Sequence, residues 1–304
     1  MPASIQLLPA NQIDADRWNA CVRNNKNGLI YSETPMLSAL ADNWHGLVID
    51  DYTAVMPIPW RKKWGFRYAY VPAFIQQLGF TGKLDESMLD ASMPYINKLI
   101  SLGDFQFNYN NSVIIKGIPG VRNRINQVID LHKSYSDLYQ QFSNDAKRNI
   151  HQSEKHQFTM QHTWRDDIWD CFFAEMKSRY VPNIRDIDQF KQACAFYFAS
   201  NACHIRWIEN ENKQLLAAWV GLQDQRRIYN LLNVTTTAGR KKSANYFLFN
   251  SLMREWCEKP LLFDCEGSEL PGVQAFYNQW GATTETYYQF RLNRLPFPLH
   301  LFKR

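Results

Sequence analysis

A chain of 304 residues is too long for one typical domain and fits two of about 150 residues each. Its 45% hydrophobic and 21% charged content is that of an ordinary globular protein, and 10 Trp and 19 Phe supply material for a sizeable core. A net charge of +5 favours an anionic ligand such as a phosphate and is too small to argue for DNA or RNA by itself. The six cysteines, Cys21, Cys171, Cys194, Cys203, Cys257 and Cys265, form no C-x-x-C pair and no zinc spacing with the seven histidines. Buried reduced thiols in a cytoplasmic protein without metal are therefore expected. Residues 1–10 lack the basic start and apolar core of a signal peptide, and no apolar run has membrane-spanning length.

In chain order, residues 4–8 read as a strand and 14–22 as a helix capped by Asp14. Thr34 and Pro35 open a helix over 35–43, with Thr34 as cap. Residues 44–49 and 52–57 form a hairpin across Asp50-Asp51, followed by Arg61-Lys62-Lys63 and a strand over 66–71. Helical spacing spans 85–102, and strands are expected at 105–109, 113–116 and 122–131. Residues 134–157 read as one amphipathic helix capped by Ser134 or Ser136, with Lys147, Arg148, His151 and Lys155 on its polar side. A strand over 158–162 and two apolar helices, 164–180 and 187–199, come next. Three strands (204–209, 215–222, 226–234), a helix (244–258), a strand (261–265), a helix (270–280) ended by Gly281, and a strand (284–292) complete the chain. The rhythm of 134–292 is repeated loosely before it, so two similar mixed α/β domains are expected, 1–133 and 134–304.

The stretch from Thr235 to Asn245 lies between a strand and a helix and carries Gly239, Arg240, Lys241, Lys242, Ser243 and Ala244. Exposed N–H groups at a helix start, with three cations, make an anion site; a solvated basic loop is the plainer alternative. Asp264 and Glu266 end a strand and are candidate general bases, or a turn former and a surface charge. Tyr229 and Asn233 are four apart on one strand and so share a face, where they would line an acyl site; a core position is the plainer alternative for Tyr229. Lys147 and Arg148, like Arg61 to Lys63, either hold an anionic acceptor or form a solvated face.

Arg240-Lys241-Lys242-Ser243-Ala244 resembles the pyrophosphate loop of the GNAT acyltransferases, Arg/Gln-x-x-Gly-x-Gly/Ala. Ala275-Phe276-Tyr277 with Gly281 resembles their later motif, Ala-x-x-Phe-Tyr-x-x-x-Gly-Phe. That resemblance implies that Tyr277 protonates the leaving thiolate of coenzyme A, a role suited to a phenol that stays protonated at neutral pH. A wider resemblance is to FemAB-like proteins, two-domain GNAT-fold peptidyltransferases and their relatives. It is carried by Tyr135, Leu138, Phe142, Ser143, Lys147-Arg148-Asn149-Ile150 and Lys155, and by Phe263-Asp264-Cys265-Glu266-Gly267-Ser268 followed by Phe276 to Gly281. Tyr31-Ser32-Glu33-Thr34-Pro35 and Gln77-Leu78-Gly79 fit the first half of the same family.

These resemblances imply a mixed α/β fold of two tandem GNAT-like domains, the second carrying the donor site. Asn233, Val234 and the loop from Gly239 to Ala244 would hold an acyl-coenzyme A, with no metal. Backbone N–H groups of the strand over 226–234 would polarise the thioester carbonyl. Lys147, Arg148 and Tyr229 would meet an amine acceptor, a small molecule or a cell-envelope component, in a cleft between the halves. Tyr277 stands where the peptidyltransferases have Lys, and no long coiled-coil insertion is present, so aminoacyl-transfer RNA is the second choice of donor. Ser243 replaces a loop Gly, which leaves a non-catalytic binding protein as a further alternative.

Overall fold

Capping and turn residues lay out the first strands and helices. The computed structural model describes residues 4–177, 184–267 and 271–298; Tyr180, Ser268 and Leu270, named in the expected helices and motif, lie outside them. β1 (Ile5–Pro9) leads to α1 (Ala15–Asn24), where the Asp14 carboxylate accepts from the Arg17 N–H at 3.1 Å, as its cap role requires. α2 (Thr34–Leu40) starts one residue early, with Glu33 as the cap residue, Thr34 inside the helix and Pro35 in the first turn. β2 (Trp44–Ile49) and β3 (Ala54–Lys63) make the expected hairpin, with Asp50, Asp51 and Tyr52 all at positive φ. β3 continues through Arg61-Lys62-Lys63 and turns at Trp64-Gly65 into β4 (Phe66–Ala69). β5 (Thr81–Gly82), α3 (Met88–Leu99) and β6 (Leu102–Phe107) follow.

Of residues 113–116, expected as a strand, the first three instead lie in helix α4 (Ser112–Ile115) and Lys116 caps its end. The Asn108 side chain accepts from the Asn110 N–H at 2.9 Å and its carbonyl from Asn111 at 3.0 Å, so the chain is already coiling when the apolar run begins. A short apolar run has no periodicity of its own to resist that. β7 (Arg122–Asp130) comes next.

The helix expected over 134–157 is two helices, α5 (Tyr135–Gln141) and α6 (Asn144–Glu154). Each has its own serine cap: Ser134 accepts from Asp137 N–H at 3.2 Å and Ser143 from Ala146 N–H at 3.1 Å. The bend between them drives Phe142 edge-on into Trp280, ring centroids 4.9 Å apart. Then come β8 (Met160–Gln161), α7 (Asp167–Lys177), α8 (Ile184–Ala199), β9 (Cys203–Glu209), β10 (Leu215–Gln223) and β11 (Arg227–Thr235). α9 (Thr237–Lys241), α10 (Ala244–Trp256), β12 (Leu262–Asp264), α11 (Pro271–Asn278) and β13 (Thr283–Asn293) close the chain, with Gly281 at φ +73° just beyond α11.

The chain divides into two compact units: Met1–Ile125 with Thr286–Arg304, and Asn126–Glu285. The sequence had suggested a division between 133 and 134. The chain passes into the second unit within β7 and out of it within β13, so each unit takes its last strand from the other half of the chain. In the first unit the sheet runs β1-β2-β3-β4-β6 and then the end of β13, with β5 beside β3. In the second it runs β8-β9-β10-β11-β12 and then the end of β7. Each sheet is antiparallel except at one seam, β4–β6 in the first and β11–β12 in the second, where a helix (α3, α10) makes the crossover. The second unit's core packs α5, α6, α10 and α11 on one sheet face through Leu138, Ile150, Leu248, Phe249, Phe263 and Trp280.

Candidate active site

Two backbone irregularities open the second unit's parallel seam. β11 and β12 pair only over Arg227–Tyr229 and Leu262–Asp264, yet β11 runs on to Thr235 beside β10. On that other edge the register slips: Gly221 faces Asn230 and Val220 faces Leu232, so Leu231 is an extra residue, a β-bulge. A bulge leaves a peptide out of the ladder and turns the following side chains over.

The bulge changes which residues share a face. Plain alternation pairs Tyr229 with Asn233 on one face; the bulge puts them on opposite faces. Asn233 stands opposite Trp219, and Asn230 opposite Gly221, two residues along from Trp219 on the same face. Trp219 stacks on Phe263 beneath α10, ring centroids 6.1 Å apart. Asn230 and Asn233 therefore look toward α10, while Tyr229 looks the other way and its hydroxyl bonds Asp224 at 2.5 Å. Tyr229 is fully buried, and burial first, then Asp224, hold its phenol well above the ordinary range.

Where the strands part, the Asn230 side chain fills the gap. Its amide nitrogen donates to the Cys265 carbonyl at 3.0 Å and to the Tyr277 hydroxyl oxygen. Tyr277 comes from α11 and packs against Phe249 of α10, centroids 6.0 Å apart. Because its oxygen accepts from Asn230, this bond does not consume the phenolic proton. Burial, with smaller contributions from Cys265, Glu266 and Asp264, raises its pKa so that it is protonated at any physiological pH. The carbonyl oxygen of the Asn230 side chain and the amide nitrogen of Asn233 are buried without a protein partner, which marks this face of the seam as polar and unfinished.

Asp264 lies on the opposite face, since Phe263 and Cys265 on either side of it point into the α10 core. It is 1% exposed and bonded to Arg227 at 2.8 Å and to Asn126 at 2.8 Å. Arg227 also meets Glu285 at 2.6 and 2.9 Å. Burial raises the Asp264 carboxyl and Arg227 opposes it; burial lowers Arg227, and Asp264 with Glu285 more than reverse that. Glu266 follows in a left-handed turn at φ +53°, half-buried, its N–H directed at Asp264 at 3.4 Å. The structure thus brings Tyr277 beside Cys265, with Glu266 nearby, and separates Asp264 from Tyr277 across the sheet.

The basic loop is more ordered than a bare loop. Thr236 caps α9, taking the Gly239 N–H at 3.1 Å, and Lys242 and Ser243 donate to Gly239 and Arg240 carbonyls at 3.1 and 3.2 Å. Gly239 is buried and packed so closely that a Cβ there would meet the Leu216 carbonyl oxygen at 2.1 Å. Arg240 turns back to Thr235 O at 2.6 Å and Glu175 at 3.1 Å. Lys241 is exposed and Lys242 half-buried. Ser243, at φ +53°, bonds Asn149 of α6 at 3.1 Å, and Ala244 begins α10, whose first-turn N–H groups point out of the helix start. Val234 is buried in the strand below. Lys147 lies over the Tyr139 ring at 5.3 Å and reaches Gln140 O at 3.2 Å, while exposed Arg148 pairs with Asp145 at 2.9 Å.

Asn230, Arg227, Asn126, Glu285 and Cys265 were not singled out from sequence. A polar Asn and Arg within an otherwise apolar strand were the available signal for the first two. Among the described residues no group of three His, Cys, Asp or Glu is arranged to hold a metal. A cavity of about 570 Å³ lies in the first unit, lined by Glu86, Lys116, Val121 and Tyr288 among others.

No protein-family profile and no curated protein sequence matches the chain. Solved structures do. FemX superposes with a TM-score of 0.71 at 11% identity, covering 100% of both chains. L-PGS from Bacillus licheniformis gives 0.58 at 12%, covering 95% of each chain. A tandem GNAT protein from the clavulanic acid biosynthesis pathway gives 0.55 at 10%, covering 96% of this chain and 100% of that one. The chain thus has a GNAT-like, FemAB-like fold, mixed α/β with sheets flanked by helices.

Proposed function

We propose that the second unit transfers an acyl group from a coenzyme A thioester to an amine. One observation carries this reading: the Tyr277 hydroxyl, still holding its proton, meets Asn230 where β11 bulges and parts from β12. A thioester lying along the gap would present its carbonyl to main-chain N–H groups freed from the ladder at the bulge, which would hold the oxyanion formed by amine attack. As the carbon–sulfur bond breaks, Tyr277 would give its proton to the thiolate, and Glu266, directly or through water, would take the proton lost by the amine. Asp264 and Tyr229 would position the strands, since both are buried and committed to Arg227 and Asp224.

Asn233 and Val234 would flank the pantetheine arm, and the first-turn N–H groups of α10 with Lys241 and Lys242 would meet the pyrophosphate near Gly239, Arg240, Ser243 and Ala244. Lys147 and Arg148 would meet an anionic group on the acceptor, a small molecule or a cell-envelope component. The cysteines are free, and burial of Cys21, Cys194, Cys203 and Cys265 accords with a cytoplasmic setting. No helix among the described residues is long and apolar enough to cross a membrane.

Calorimetry should detect acetyl-coenzyme A at micromolar concentration. Tyr277→Phe should leave that binding intact and slow transfer about a hundredfold or more. An unchanged rate would remove the acid role. A second reading, a binding protein that kept the fold and lost the donor, is favoured by one feature: the loop spends several amides on its own carbonyls and has Ser243 where a close phosphate approach wants Gly. Absence of heat with millimolar coenzyme A would leave that reading in front.

A further inference from the structure

The first unit carries a feature that the transfer chemistry does not use. From Tyr52 to Leu84 the chain has no Asp or Glu but contains Arg61, Lys62, Lys63, Arg67 and Lys83. Four of these cations sit on one antiparallel hairpin, the far end of β3 paired with β4: Arg61 opposes Tyr68, Lys62 opposes Arg67, and Lys63 opposes Phe66. Trp64 and Gly65 form its tip. Trp64 is 80% exposed, more than any other large apolar side chain among the described residues. Lys62, Lys63 and Arg67 are exposed as well.

An exposed indole ringed by cations fits two kinds of anionic partner, a lipid surface or a nucleic acid. The aromatic faces decide between them. A nucleic acid would need rings on which bases could stack, several in a row. Here the Arg67 guanidinium covers Trp60 at 4.7 Å and the Arg61 guanidinium covers Tyr70 at 4.1 Å, so those platforms are taken by the hairpin's own cations. Lys63 in turn lies over the Trp64 ring at 4.8 Å, so the one ring that projects fully, at the point of the turn, is held among cations. That is the arrangement a membrane interface selects: indole at headgroup depth, Lys and Arg at the level of the lipid phosphates. Asp42, at 2.6 Å, neutralises Arg61 at the base of the hairpin, while Lys62 and Lys63 next to the tip face outward.

We propose that the β3–β4 hairpin is a peripheral anchor that seats Trp64 in an anionic lipid surface. The contact is reversible, since one indole and a few charges bind far more weakly than a spanning helix. It would bring the protein to substrates or products that reside at the membrane.

Co-sedimentation of the full chain with phosphatidylglycerol-containing vesicles tests this, with pure phosphatidylcholine vesicles and a single-stranded oligonucleotide as the other arms. Binding to the anionic vesicles is expected, falling as salt is raised. Lys62→Gln with Lys63→Gln should weaken it roughly thirtyfold, at about fivefold per charge. Trp64→Ala should weaken it further without altering the melting temperature, because the side chain is 80% exposed and its cation contact, with Lys63, lies at the surface. Equal binding to neutral vesicles, no effect of Trp64→Ala, or a preference for the oligonucleotide would each overturn the proposal.

Discussion

In the first unit the parallel seam between β4 and β6 is closed by the chain itself. Ala69 pairs with Gly103 so closely that a Cβ on Gly103 would meet the Ala69 Cβ at 2.5 Å. Beyond that point Leu78 takes over as a makeshift strand, donating to Gln106 O and accepting from Asn108 N–H, each at 2.9 Å. Asn111 clamps the next turn, bonding both the N–H and the carbonyl of Phe80 at 2.8 and 2.9 Å. The remaining space is about 10 Å³, the lower limit for one water. In the second unit the equivalent seam between β11 and β12 is spanned by a side chain, Asn230, and keeps buried polar atoms without protein partners. The same topology is thus core in one place and candidate site in the other. What differs is whether the gap is filled by a backbone ladder, which nothing can replace, or by a side-chain amide, which a ligand can.

The comparison can be broken most forcefully at the network behind the open seam. Arg227→Met leaves the buried Asp264 and the half-buried Glu285 without their partner, and should cost about 3–5 kcal/mol in urea unfolding. A loss below about 1 kcal/mol would show that the seam is held by something else. In the closed seam, Leu78→Ala should cost about 3 kcal/mol from lost burial and the cavity left behind. It should leave acetyl-coenzyme A binding untouched; a weakened donor would place ligand contacts in the wrong half. The mildest test is acid. His45 in β2 accepts from Trp60 at 2.9 Å, and His204 in β9 bonds Gln223 at 2.7 Å. Burial lowers both imidazole pKa values. The unfolded chain therefore takes up protons first as pH falls, so stability is full above the ordinary imidazole range and declines as pH drops through it. His45→Gln and His204→Gln should each flatten part of that decline in melts across pH; parallel curves would refute it.

Much of the layout was legible because it is local. Asp14 as a cap, the hairpin at Asp50-Asp51, the three strands within residues 203–235 and the glycine stop at Gly281 all follow from side chains acting within a few residues of themselves. The split of 134–157 was missed although its signal is local: Ser143 with Asp145 behind it carries the same cap chemistry as Ser134. Residues 113–116 were not legible, because a short apolar run suits a strand and a helix alike, and the Asn108 turn before them decided.

The candidate site was half legible. Tyr277 and the basic loop stood out through resemblance, and Glu266 through its place at a strand end. The pairing of Tyr277 with Asn230 could not be read, because the two lie 47 residues apart and meet only through the seam. Nor could Asn233's partner on its face, since one bulged residue at Leu231 reverses the alternation on which the inference rested.

By itself the sequence determined the elements, their order and the residue types able to move a proton or meet a phosphate, since propensity, capping and periodicity act over short stretches of chain. The tertiary structure alone decided which seam stays open, which face each polar residue takes, and that Asp264 is bound to Arg227 and Glu285 rather than turned toward Tyr277. Those outcomes depend on register and on strands exchanged between the halves of the chain, and register is set by the sum of packing across the whole sheet.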